Sequence, residues 1–146
     1  MDLQSKVGEL EFSRELKTCP SVTKISEVLG VFQSKRIGAM IIVDNNKVVG
    51  IFTERDYVNK VAGQVKDITK VTVGEFMTHG PKCVTEDNAI KDVLEMMHTG
   101  NFRHVVVIDN TYKLIGIISI KDMLEFLILN ISDLETNMSD LVAAMV

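Results

Sequence analysis

The sequence predicts an α/β (α+β) fold: two β-α-β-β-α repeats followed by an amphipathic C-terminal helix. Three observations carry that prediction. A heptapeptide pattern is written twice, as GIFTERD at residues 50–56 and GIISIKD at 116–122, 66 residues apart; both read Gly, two apolar residues, a hydroxyl residue, two spacers and Asp. Ahead of each copy the same features recur in the same order, since ISEVLGVF (25–32) aligns with IKDVLEMM (90–97) and MIIVDN (40–45) with VVVIDN (105–110). Within each copy the apolar period changes from helical to extended, which separates a helix from the strands after it. A repeat that preserves order throughout decides the architecture before single elements are assigned.

The elements follow in order. A short strand is expected ahead of each first helix, around Lys17 to Cys19 and Lys82 to Val84. Ile25, Val28, Leu29 and Phe32 recur at helical spacing, as do Ile90, Val93, Leu94 and Met97, giving each helix one apolar face. AMIIVD and HVVVID are short continuous apolar runs rich in β-branched residues, the pattern of strands buried on both sides. DNNK and DNTYK supply turn residues, and KVVGIF and KLIGII read as the returning strands of hairpins. Thr53 and Ser119 then open the closing helix of each copy, continued by Tyr57 and Val58 in the first and by Met123, Leu124, Leu127 and Ile128 in the second.

The expected boundaries are an N-terminal segment 1–14, a first repeat 15–62, a connection 63–76, a second repeat 77–130 and a C-terminal helix 131–146. Neither copy buries much surface alone at roughly 60 residues, so the two are expected to pack together. In the connection, Asp67 to Lys70 are polar and Val71 to Met77 lead into the second copy. At the end Leu127, Ile128, Ile131, Leu134, Met138, Leu141, Val142 and Met145 lie near helical spacing, an apolar face that requires a partner surface.

Composition narrows the function. The 146 residues are 25% charged and 46% apolar, with a formal charge of −4 and no basic run, so no footprint for nucleic acid is present. MDLQSKVGELEFSREL is too polar for a signal peptide and no apolar stretch approaches the roughly 18–20 residues of a membrane span, which leaves a cytoplasmic location by default. Cys19 and Cys83 stand far from any CxxC spacing and read as reduced thiols, with a place along a ligand cleft as the alternative. His79, His98 and His104 are dispersed, so neither a metal site nor a histidine-activated nucleophile is expected, and His79 and His98 are expected to face solvent. Met96 and Met97 read as core filler. With no Walker loop, HExxH pair or nucleophile-base pair, no catalytic residue is assigned and the chain does not read as an enzyme.

The repeated heptad admits two readings. Thr53-x-x-Asp56 and Ser119-x-x-Asp122 have the spacing of a capping box, in which hydroxyl and acid satisfy each other's backbone N–H groups. Alternatively, a glycine ending a strand admits a ligand close to the backbone, and the helix N-terminus beyond it offers N–H groups to a phosphate. The hydroxyl then adds a donor, and the carboxylate accepts from the hydroxyls of a ribose.

Two strand-helix-strand-strand-helix copies, each ending in this heptad, resemble a tandem pair of CBS domains, or Bateman module, over roughly residues 15–130. GIFTERD is similar to the first-copy signature of small stand-alone bacterial and archaeal members, and FRHVVVID followed by GIISIKD resembles a nucleotide-binding copy. The resemblance implies repeats related by pseudo-twofold symmetry, a homodimer, and either a regulatory role exerted on a separate, unidentified protein target or nucleotide binding alone. It also implies an adenosine compound (AMP, ADP, ATP, NAD or S-adenosylmethionine) bound as regulatory ligand, with no required cofactor, in clefts where the copies meet.

Carried over residue by residue, the resemblance makes Asp56 and Asp122 the ribose acids, with Thr53 and Ser119 beside them. Thr18, Cys19, Ala39 and Met40 in one copy, and Cys83, Val84, His104 and Val105 in the other, become candidates for the adenine pocket, largely through their main chains. Arg103 and His104 stand where phosphates are expected, and Lys121 or Arg55 could join them; a plain structural role for His104 is equally open. The first copy has Gly38-Ala39 in place of Arg103-His104, with Lys35 and Arg36 further from the strand, so phosphate binding is better supported in the second. One occupied site and two are both open. The competing reading is a structural or interaction module whose heptads only cap helices.

Overall fold

The computed structural model describes residues 1–15 and 17–145, without the side chains at 134, 137, 138, 140 and 141. The chain forms two compact units. One comprises Glu15–Pro81 and Thr111–Leu114; the other comprises Met1–Arg14, Lys82–Asn110 and Ile115–Val146.

The first unit runs β1 (Thr18–Cys19), α1 (Ile25–Lys35), β2 (Ala39–Asp44), β3 (Lys47–Thr53), α2 (Glu54–Asp56, continued by a π turn over Tyr57–Val61) and β4 (Thr78–His79). Its sheet has the order β1-β2-β3-β4, with β1 parallel to β2 and the remaining pairs antiparallel. Asn45 and Asn46 both adopt positive φ, 51° and 62°, in the two-residue β2–β3 turn, the backbone whose twist matches a hairpin. Ile25, Val28 and Phe32 on α1 meet Met40, Ile42 and Phe52 on the sheet, together with Val61, Val73 and Met77. The helical and extended segments read from the sequence thus converge on one core.

The second unit repeats the pattern with β5 (Cys83–Val84), α3 (Ile90–Gly100), β6 (His104–Ile108), β7 (Leu114–Ser119) and α4 (Ile120–Leu129), then adds α5 (Ile131–Met145). Its sheet has the order β5-β6-β7, with β5 parallel to β6. Both first helices stop in the same way, at a left-handed residue: Arg36 (φ 53°) after α1 and Asn101 (φ 52°) after α3. Every described side chain of α5 is exposed. Leu134, Met138 and Leu141, expected on its apolar face, lie outside the described side chains.

Val71 to Met77, expected to lead into the second copy, contribute to the core of the first. Val73–Glu75 forms a 3-10 turn, and Val73 N–H donates to the Thr23 carbonyl (2.7 Å) while Gly74 N–H donates to that of Ser21 (2.9 Å). In the other unit Val7–Glu9 forms the same turn, with Val7 N–H donating to Asn88 (2.8 Å) and Gly8 N–H to Glu86 (2.9 Å). Val7 and Val73 are both fully buried, and burial of a valine side chain stabilises by about 1.5–3 kcal/mol. The tripeptide Val-Gly-Glu therefore recurs at the spacing of the heptads and completes a core in each unit.

Carboxylates of the first unit set an acid limit. Hydrogen bonds from Ser21 hold Asp44 below the usual 3.8, those from the Thr69 hydroxyl and N–H do the same for Asp67, and those from the Thr72 N–H and hydroxyl hold Glu75 below 4.5. A depressed native pKa contributes stability that is present above the unfolded value and lost as pH falls through the native one. The urea midpoint is therefore expected to stay level down to the ordinary carboxylate range and to decline below it. A midpoint that rises on acidification from pH 5 to pH 3 would contradict these bonds.

Candidate functional site

The glycines of the repeated heptad do not leave room for a ligand. Gly50 lies inside β3, where a Cβ would collide with the Met77 sulfur and stand 3.0 Å from the Thr78 carbonyl oxygen. Gly116 lies inside β7, where a Cβ would stand 2.5 Å from the Ser13 carbonyl oxygen and 2.6 Å from the Phe12 ring. In both units a neighbouring chain segment occupies the space. Gly50 pairs with His79 of β4, and Ser13 bridges Ile117 of β7. The close backbone approach inferred for a ligand is made by the protein itself.

The hydroxyl and acid of each heptad form a capping box. In the first unit Thr53 N–H donates to Asp56 Oδ2 (3.0 Å) and Asp56 N–H to Thr53 Oγ1 (3.1 Å). In the second, Ser119 N–H donates to Asp122 Oδ2 (2.7 Å), Asp122 N–H to Ser119 Oγ (3.2 Å), and the Ser119 hydroxyl also donates to Asp122 Oδ2 (3.1 Å). Two N–H groups that the helix itself leaves unpaired are satisfied at each start. Capping consumes one carboxylate oxygen and leaves the other.

The second oxygens differ. Asp56 Oδ1 forms an ion pair with Lys60 Nζ at 3.2 Å and accepts from the Thr78 hydroxyl at 3.4 Å. Lys60 Nζ in turn donates to the Phe76 carbonyl and to Thr78 Oγ1, both at 3.2 Å. Asp122 Oδ1 has no hydrogen-bond or ion-pair partner among the described residues. Positions 66 residues from Lys60 and Thr78 hold Phe126 and Phe12, whose side chains carry no hydrogen-bond donor.

Strand register brings several predicted residues to these helix starts. Ala39 lies opposite Thr53, and the Gly38 carbonyl accepts from Glu54 N–H at 3.0 Å. The Arg103 carbonyl accepts from Ile120 N–H at 2.9 Å, so Arg103 adjoins the Ser119–Asp122 cap. Thr18 and Cys19 pair with Ile41 and Ile42, and Cys83 and Val84 with Val106 and Val107. Met40, Val84 and Val105 are core side chains and can offer a ligand only their main chains. Arg103, Lys121, Arg55, Lys35, Arg36 and Thr18 are exposed; Cys19, Ala39, Cys83, His104, Thr53 and Ser119 are half-buried. His79 and His98 face solvent.

Burial pushes the Cys19 thiol up, against a smaller opposing hydrogen bond with Thr23, and burial alone raises Cys83. Neither is an activated nucleophile, since the thiolate is the reactive form. Among the described residues no group of three or more His, Cys, Asp or Glu is placed to hold a metal ion, and no helix is long and apolar enough to cross a membrane.

Lys60, Thr78 and the Val-Gly-Glu turns escape sequence reading of the heptad alone. The turns carry a detectable signal, since VGE at 7–9 and at 73–75 share the heptad offset. Lys60 carries none, because its role depends on where β4 returns.

Comparison with known proteins agrees with this architecture. The model of the CBS domain family matches residues 7–63 and again 73–129. An uncharacterized 17.7 kDa protein of Acidianus ambivalens is 36% identical over 122 residues, covering 83% of this chain and 72% of that protein. The chain spans only 19% of a CBS domain-containing protein of Arabidopsis thaliana to which it is 31% identical over 105 residues. Among solved structures, a CBS domain pair in complex with 5′-methylthioadenosine and S-adenosyl-L-methionine superimposes with a TM-score of 0.73 at 27% identity, covering 84% of this chain and 94% of that one. A CBS domain protein of Pyrobaculum aerophilum complexed with AMP gives a TM-score of 0.71 at 25% identity, covering 80% and 88%. With the family matched twice along its length and the β-α-β-β-α order present in both units, the chain is a tandem CBS-domain pair and belongs to the CBS domain family.

Proposed function

We propose that the protein is a regulatory sensor that binds an adenosine-containing compound, AMP foremost, without transforming it. One observation carries this reading: at the start of α4 the Asp122 carboxylate keeps an oxygen that has no partner among the described residues, beside the serine that caps the helix. That oxygen suits the paired hydroxyls of a ribose, each of which can donate to it. The N-terminus of a ten-residue helix adds positive potential for a phosphate, and exposed Arg103 adjoins it. The two adenosine-bound CBS structures support the same ligand class.

Ligand acts by shifting a population, favouring whichever arrangement of the protein it binds more tightly. Self-association belongs to the same reading. Leu124, Ile128 and Ile131 leave apolar surface exposed along α4 and the start of α5, which a second copy would cover.

The test is a melting panel with AMP, ATP, NAD and S-adenosylmethionine. A ligand at 100 times its dissociation constant adds about 2.7 kcal/mol of stability. AMP is expected to raise the melting temperature more than S-adenosylmethionine, because a sulfonium cation gains nothing from a helix N-terminus. If no adenosine compound moves the transition, the protein is a scaffold and its heptads are caps alone.

A further inference from the structure

The two heptads, alike in sequence, differ in what remains for a ligand. Asp122 spends one oxygen on its cap and keeps the other. Asp56 spends both: one on the Thr53 cap, the other on Lys60 and Thr78. The ammonium of Lys60 sits in a closed set of contacts with Asp56 Oδ1, Thr78 Oγ1 and the Phe76 carbonyl. A ribose reaching Asp56 would have to displace that ammonium and leave the Phe76 carbonyl without its donor.

We infer that Lys60 holds the first copy closed, so that the chain takes one adenosine ligand, at Asp122, and that Lys60 is the residue that sets this number. The inference rests on the adenosine-sensing reading and refines it. The acid of the first copy is then recruited to fasten β4, through Thr78, to the start of α2. Phe126 and Phe12, standing where Lys60 and Thr78 stand in the first copy, cannot fasten the second in that way.

Titration calorimetry with AMP on the intact chain distinguishes the outcomes. Wild type is expected to bind one AMP per chain, Asp122→Asn to weaken binding at least 10-fold, and Asp56→Asn to leave it unchanged. Lys60→Met, which keeps the aliphatic stem, is expected to bind two. Asparagine preserves either cap through its carbonyl oxygen, so neither variant depends on a broken helix start. Two sites in wild type, one of them lost in Asp56→Asn, would overturn the inference and leave the sensing reading intact. A single Asp122-dependent site that remains single in Lys60→Met would overturn the role of Lys60. Absence of any binding to wild type would remove the sensing reading itself, and this inference with it.

Discussion

Phe52→Ala is expected to destabilise the protein by about 3–5 kcal/mol, the range found when a fully buried aromatic ring is truncated. Phe52 is fully buried, and its ring stacks on Phe32 with centroids 6.3 Å apart and planes 18° apart. It joins α1 to the sheet in a core that also includes Val73 and Met77 from beyond the π turn. Truncation therefore opens a cavity against both the helix and the returning segment, and neither can close over it alone. A domain of this size typically has about 5–15 kcal/mol in total, so the variant loses a large fraction of its stability. Urea unfolding of wild type and variant measures the difference directly. A loss below 1 kcal/mol would mean that the ring is not the center of that core.

Asp122→Asn is expected to weaken AMP binding by about 10- to 150-fold with little change in unfolding free energy. The affinity change corresponds to the roughly 1.5–3 kcal/mol carried by hydrogen bonds to a charged group. Asparagine retains an oxygen for the Ser119 N–H, so the cap survives; removing a cap outright would cost about 1 kcal/mol. What changes is the other atom, where a charged acceptor becomes a neutral donor facing the ribose. Calorimetry and urea unfolding separate the two effects. Equal affinity in the variant would place the sugar elsewhere.

The parts of the fold legible in the sequence are those whose signal is local and periodic. α1 and α3 announce themselves through residues three and four apart, β2 and β6 through β-branched runs, and the β2–β3 turn through its paired asparagines. β4 was not legible, because two residues paired to a strand far back in the chain carry no period. The heptad glycines were legible as sites of close approach, but not as to what approaches; only the fold identifies Met77, Ser13 and Phe12 as the neighbours.

Sequence spacing also placed hydroxyl and acid correctly at two helix starts and left capping and binding as alternatives. The structure shows capping at both, and leaves the second oxygen of Asp122 without a partner among the described residues while a lysine and a threonine take that of Asp56. That difference is invisible in GIFTERD and GIISIKD. It lies in Lys60 and Thr78, outside the repeated motif, and in the tertiary contacts that bring them to it.

An amide-resolved NMR titration with AMP reads out whether an adenosine compound is held at the start of α4. Saturable shifts are expected, largest at the backbone amides of Ser119 to Asp122 and at Arg103, with those of Thr53 to Asp56 nearly unmoved. Shifts confined to other parts of the chain, or a spectrum unchanged at millimolar AMP, would contradict it.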